Sequence, residues 1–193
     1  ASGANTVTVA TGNTGCLSLN CTGFTGTLAG SSNLDIRGSL IFVSGMTRTY
    51  SGVITFSATD SRTLTFGTKI ISSNFNFNGV GGTWTLQDEL DNSSQLITLT
   101  NGTFNANNQN LTFGNFNSNN SNIRTLTMGS GTWSLKGPSG TTIWNMATTT
   151  NLTLNANSPK NIPTKPLLPT LTTLKAEKYK KALDFVKTSP IQL

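Results

Sequence analysis

The chain has one cluster of carboxylates, at Asp88, Glu89 and Asp91, and such a cluster could catalyse a reaction or bind a metal ion. Paired carboxylates can act as general acid and base on a glycosidic bond, and carboxylate oxygens can bind calcium. The three residues fall in a turn-like stretch, where solvated carboxylates are the ordinary arrangement, so we expect no catalytic role for them. Asp35 and Asp60 stand alone and are expected to accept hydrogen bonds from turn amides.

The chain contains no histidine. Ser-His and Cys-His nucleophile pairs and histidine-based metal sites are therefore excluded. Cys16 and Cys21 are separated by four residues, and this odd spacing puts them on opposite strand faces unless a turn at Asn20 intervenes. Free thiols are favoured over a disulfide, and no second Cys or His pair exists to complete a zinc site. We predict a chain that is not an enzyme and has no cofactor and no metal.

A short phrase recurs along the chain, in which threonine alternates with a large apolar residue and a Gly or Asn follows. Alternation with period two places the threonines on one side of a strand and the apolar residues on the other. Strands of about four residues cannot bury an apolar face alone, whereas a stack of them can. The phrases are centred on Leu64, Trp84, Leu99, Thr112 and Leu126.

The first 158 residues therefore read as short strands separated by Gly- and Asn-rich turns, with no gap long enough for a crossover helix. We predict an all-β fold, a parallel β-solenoid of six or seven coils of roughly 22–25 residues. An antiparallel β-sandwich or jelly roll is the alternative. In the solenoid, interior ladders are expected to contain Phe66, Phe77, Leu86, Leu99, Phe113, Leu126 and Leu135.

The composition changes at Pro159, and residues 159–193 are predicted to be a separate region. Seven of the 13 basic residues lie there, and three prolines at 163, 166 and 169 favour an extended linker. The following residues predict one short amphipathic helix. We predict that it is a docking arm; a solvated surface helix and a nucleic-acid-binding segment are the other interpretations, and the scarcity of arginine and aromatic residues disfavours the last. The predicted docking residues are Leu174, Lys178, Tyr179, Lys181, Leu183 and Val186.

Several longer segments resemble a known family in consistent order over residues 21–157. They read GFTGTL from Gly23, SGVITFSAT from Ser51, FNGVGGTWTLQD from Phe77, LTNGTF from Leu99, FNSNNSNIRTL from Phe116, GTWSL from Gly131 and WNMATTTNLTL from Trp144. The chain resembles repetitive β-solenoid proteins of tailed bacteriophages and metagenomic sequences. The resemblance implies a structural or tail-fibre-like virion protein and carries over no catalytic residue. Such proteins often continue with more β-repeats, whereas this chain changes to a Pro- and Lys-rich segment, which suggests a short, anchored unit.

The expected function is that of a non-enzymatic bacteriophage virion protein, a capsid decoration or a short fibre-like projection on the virion exterior. Its expected partners are other virion proteins, copies of itself and host surface glycans, with no nucleic acid. No apolar run reaches membrane-spanning length, so no membrane insertion is expected. The alternative is a secreted bacterial surface adhesin. A third interpretation is ice binding, because Thr-X-Thr ladders on a solenoid face can order water.

Overall fold

The computed structural model describes residues 5–12, 14–68 and 70–156. Within these ranges the chain is all-β and contains no helix. The predicted linker, helix and docking residues of the segment 159–193 lie outside the described residues. The strands are β1 (Thr6–Thr8), β2 (Thr14–Cys16), β3 (Leu19–Asn20), β4 (Thr27–Ala29), β5 (Leu34–Ile36), β6 (Leu40–Ile41), β7 (Thr47–Arg48), β8 (Ile54–Phe56), β9 (Ser61–Thr65), β10 (Phe75–Leu86), β11 (Leu90–Asp91), β12 (Leu96–Asn105), β13 (Leu111–Phe113), β14 (Asn115–Asn117), β15 (Arg124–Thr127), β16 (Trp133–Leu135), β17 (Trp144–Asn145) and β18 (Leu152–Asn155).

The strands pair in parallel with strands one coil away, which makes the fold a β-solenoid of about six turns. Each coil contributes to three faces in turn. Face 1 holds β1, β4 and β7 and, further along, β11, β13 and β16; face 2 holds β2, β5, β8, β14 and β17; face 3 holds β3, β6, β9, β15 and β18. The long strands β10 and β12 contribute their first halves to face 2 and their second halves to face 3. The antiparallel sandwich is therefore the wrong alternative.

Alternate residues of each strand point into the solenoid and stack on their equivalents in the next coil. On face 2, Ile36 pairs with Phe56, Phe56 with Phe77 and Phe77 with Leu99, and all four are fully buried. Burial of such apolar side chains contributes roughly 1.5–3 kcal/mol each relative to exposure. The expected interior ladders are confirmed, except that Leu135 is only partly buried.

Aromatic rings form a column through the middle coils. The ring of Phe77 stacks on Phe56 with 5.0 Å between centroids and on Phe104 with 4.6 Å. Phe116 stacks on Trp144 at 4.7 Å, in the last coil. Offset stacking of this kind adds about 0.5–1.5 kcal/mol per pair to the burial of the rings. The column thus links the coils along the axis of the solenoid.

Glycines allow two strands to pass from face 2 to face 3 without ending. In β10 a side chain at Gly79 would place its Cβ 1.7 Å from the carbonyl oxygen of Ala58 in the coil below, and one at Gly82 would lie 2.0 Å from it. Gly102 occupies the same corner in β12, with a positive φ of 76°. From the sequence, these glycines are expected to form a turn between two separate strands, but the structure joins residues 75–86 into one strand. The corner bends where backbone can approach backbone closely.

The coils vary more in length than the repeats predicted. Ile97 pairs with Phe116, 19 residues later, whereas Phe116 pairs with Trp144, 28 residues later. The last coil is longer because residues 136–143 loop out before β17. The ladders stay in register because added residues are confined to the corners.

Candidate functional surface

Two of the three carboxylates that first suggested chemistry, Asp88 and Asp91, accept hydrogen bonds from the backbone. Asp88 accepts hydrogen bonds from the backbone N–H groups of Phe66 and Gly67 in the preceding coil, both at 2.7 Å. Asp91 accepts one from the N–H of Ser93 at 2.8 Å. A carboxylate that already accepts two amide hydrogens is held in place as a structural acceptor. Asp88 thus joins its corner to the backbone of the preceding coil.

The two isolated aspartates behave differently from the expectation. Asp60 forms an ion pair with Arg62, with 2.7 Å between Oδ1 and Nε. Asp35 pairs with Arg37 at 3.2 Å and accepts a hydrogen bond from the hydroxyl of Ser57 one coil away. The expectation that they satisfy turn amides was wrong, because an arginine two residues along each strand or corner is the nearer donor.

Cys16 and Cys21 are both free thiols, as expected; Cys21 is buried and Cys16 half-buried. Burial raises the pKa of both thiols above the ordinary value, and the carboxylate of Asp35 adds to the rise at Cys16. The thiolate is the nucleophile and the metal ligand, so thiols with a raised pKa are poor in both roles near neutral pH. Among the residues that the structure describes, no group of three or more His, Cys, Asp or Glu could hold a metal ion.

One arginine is buried completely, and the sequence interpretation did not single it out. Arg124 in β15 is 1% exposed and points inward, below Gly102 of the neighbouring coil. Its guanidinium donates to the carbonyls of Ser118, Asn122, Thr148 and Thr150. The alternation of side chains along a strand could have predicted this burial. Thr125 and Thr127 face outward, so Arg124 must face inward with Leu126.

A second arginine is half-buried near the first coils. The Arg48 guanidinium lies 4.8 Å from the centre of the Phe42 ring, and its Nη2 donates to the carbonyl of Ile70 at 2.7 Å. Burial lowers the pKa of this guanidinium to about 10. Arg48 and Arg124 both fasten neighbouring coils together.

The outward side of face 3 carries a regular polar surface. Two rows of short polar side chains run across five coils in register. The first row is Ser61, Thr83, Thr103, Thr125 and Thr153; the second is Thr63, Thr85, Asn105, Thr127 and Asn155. We call these ten residues the threonine face. All of them are exposed or half-buried, and none is charged.

Five large apolar side chains are exposed among the described residues. They are Val7, Leu17, Ile70, Val80 and Ile123, and none of them is aromatic. No described helix is long and apolar enough to cross a membrane. The predicted docking residues lie outside the described residues, so the threonine face is the candidate surface that the structure provides. The chain matches no protein-family model, no curated protein and no solved structure.

Proposed function

We propose that this chain is a non-enzymatic structural protein on the exterior of a bacteriophage virion, either a capsid decoration or a short projection. The observation that carries the proposal is the ladder of inward-facing side chains on face 2, which continues through successive coils from Leu34 to Trp144. A stack of this kind gives a stiff body, because each buried side chain is held between its equivalents in the neighbouring coils. The association with bacteriophages comes from the resemblance of residues 21–157 to repetitive phage proteins.

The use of the polar side chains supports a structural role. Asp88 and Arg124 are engaged by the backbone of neighbouring coils, and the thiols of Cys16 and Cys21 are raised in pKa by burial. Both of these charged side chains thus hold neighbouring coils of the solenoid together. The outward rows present hydroxyls and amides, which keep such a body hydrated with little charge.

The proposed attachment uses residues 159–193, with Leu174, Tyr179, Leu183 and Val186 against a neighbouring virion protein and lysines toward acidic groups. An isolated helix of this length is marginal in water, so packing on a partner would supply its order. The Lys-rich character predicts attachment that weakens as salt screens the charges.

The direct test is to ask whether the protein is part of the particle. Gradient-purified virions of the phage that encodes the chain are examined by quantitative mass spectrometry and by antibody labelling in the electron microscope. We expect several copies per virion and labelling on the outside. Absence from purified virions refutes the proposal, and labelling of the bacterial surface instead would favour the adhesin.

A second experiment addresses the arm. Incorporation into virions is compared for the full chain, for residues 1–158 alone, and for a Lys178→Glu, Lys181→Glu variant. Lys136→Glu is the matched control, because Lys136 is exposed on the last coil of the solenoid. We expect the control to incorporate normally, the double variant to incorporate less at physiological salt, and residues 1–158 to remain folded but unattached. Full occupancy by residues 1–158 would rule out the arm as the anchor.

A further inference from the structure

The threonine face has two structural properties that a ligand would sense. Its rows repeat at the strand spacing, about 4.8 Å between coils, and at about 6.7 Å between alternate residues of a strand. Threonine is β-branched and has a stiff χ1 angle, so each hydroxyl and methyl group is held in a fixed direction. Such a surface loses little conformational entropy when it meets a ligand with a matching repeat.

Most of the hydroxyls on this surface are free to bind. The side chains of Thr83, Thr85, Thr103 and Thr125 form no hydrogen bond with another described residue. The bonded hydroxyls lie toward the two ends of the surface: Asn155 donates to the Thr127 hydroxyl at 3.2 Å, and Thr63 donates to Ser39, outside the surface, at 3.3 Å. By contrast, the neighbouring face 2 joins its outward side chains to each other, as in the 2.7 Å bond from Thr100 to Asn76.

The composition of the surface excludes the usual ligands of a flat protein face. Nucleic acid requires Lys or Arg for its phosphates, and the ten residues include neither. Protein interfaces depend on Trp, Tyr and Arg anchors, which are also missing. Sugar rings are held by aromatic side chains beneath them, and none of the large exposed apolar residues is aromatic. A ligand that needs only a regular array of hydrogen-bonding and methyl groups remains.

We infer that the threonine face binds the surface of ice. Ice presents oxygen atoms on a two-dimensional lattice with repeats in the same range as those of the two rows. Hydroxyls anchor water at lattice positions, and the γ-methyl groups between them favour an ordered water layer over a disordered one. This activity is independent of the proposed virion role, because it needs only the outward rows of face 3.

The inference is tested with the full chain by measuring freezing hysteresis and inhibition of ice recrystallisation. Thr103→Lys and Thr125→Lys each place a long charged side chain in the middle of the first row. Thr98→Lys is the matched control: Thr98 is half-buried and points outward from face 2, between Asn76 and Asn117. Circular dichroism melting of every variant shows that the fold is retained.

We expect freezing hysteresis and recrystallisation inhibition from the full chain, loss to background in both face 3 variants, and no change in Thr98→Lys. The inference is overturned if the full chain has no effect on ice growth, or if Thr98→Lys reduces the effect as much as Thr103→Lys. It is also overturned if the chain is inactive on ice but binds a glycan array in a manner that Thr103→Lys abolishes. That result would assign the surface to carbohydrate.

Discussion

Replacement of Arg124 by Met removes the guanidinium that holds two corners of the solenoid together. Nη1 donates to the carbonyls of Asn122 and Thr150 at 2.8 and 2.9 Å, and Nη2 to those of Ser118, at 2.7 Å, and Thr148. Nε also donates to the Ser118 hydroxyl at 2.7 Å. Met fills similar volume with an unbranched apolar chain, so the change tests the hydrogen bonds more than the packing.

The expected loss follows from which acceptors water can reach afterwards. Asn122 and Thr150 are exposed, so their carbonyls can be hydrated with little rearrangement, whereas Ser118 is fully buried. A buried acceptor left without a donor costs about 1–3 kcal/mol, and no buried charge remains because the partners of Arg124 are neutral carbonyls and a hydroxyl. We therefore expect Arg124→Met to lower the free energy of unfolding by about 1–3 kcal/mol.

The assay is urea unfolding followed by circular dichroism, with Arg62→Met as the control. Arg62 is also on face 3, but its ion pair with Asp60 is partly exposed, with side-chain exposures of 31% and 59%. Exposed ion pairs contribute at most about 1 kcal/mol, so the control is expected to change little. If the Arg124 variant unfolds within about 1 kcal/mol of the unsubstituted chain, the guanidinium does not fasten the corners and the reasoning is wrong.

Three further changes test other features. Burial raises the pKa of Tyr50 to about 12, whereas the phenol of the unfolded chain has a pKa of about 10 and ionises first. The unsubstituted chain should therefore lose stability above pH 10, and Tyr50→Phe should reduce that loss. Alkaline unfolding curves that are the same for both proteins would contradict this. Gly79→Ala should lower the free energy of unfolding by more than about 3 kcal/mol, because the added Cβ clashes with a neighbouring backbone carbonyl. Gly45→Ala is the control and should have little effect, because the nearest contact of its added Cβ is 3.7 Å away. Equal melting temperatures of the two variants would count against the corner geometry. The fully buried side-chain amide of Asn92 has no hydrogen-bond partner in the described ranges. Asn92→Leu should therefore leave the stability of the protein unchanged or raise it by up to about 2 kcal/mol. A large loss of stability on thermal unfolding would show that the amide is bonded.

The repeated Thr-apolar phrases favoured a parallel solenoid over an antiparallel sandwich, and their period-two alternation predicted most of its interior. Leu64, Leu86 and Leu126 lie where the Thr-apolar phrases place them, fully buried, because the phrase repeats once per coil. The positions of the corners were harder to predict from the sequence than the buried residues. Glycines such as Gly81 carry the same turn signal whether the strand stops or bends, and only the neighbouring coil decides between these outcomes.

The candidate surface was predictable in its chemistry and not in its extent. The Thr-X-Thr phrases predicted outward threonines, but the rows exist only because Thr83, Thr103 and Thr125 are aligned by the pairing register. Register depends on coil lengths between 19 and 28 residues, and the corners that absorb these differences show no common sequence. The roles of Arg124 and Asp88 likewise depend on carbonyls and amides contributed by other coils, about twenty residues or more away.

Because the described strands pair with strands one whole coil away, tension should unwind the described solenoid one coil at a time. A pulling force on one coil first loads the hydrogen bonds between that coil and the next described coil. Detaching one coil of 21 residues, such as that between Val7 and Leu28, would release roughly 70 Å of extended chain. Extension would proceed in successive steps of this size, and relaxation could rewind the chain on the remaining coils as a template.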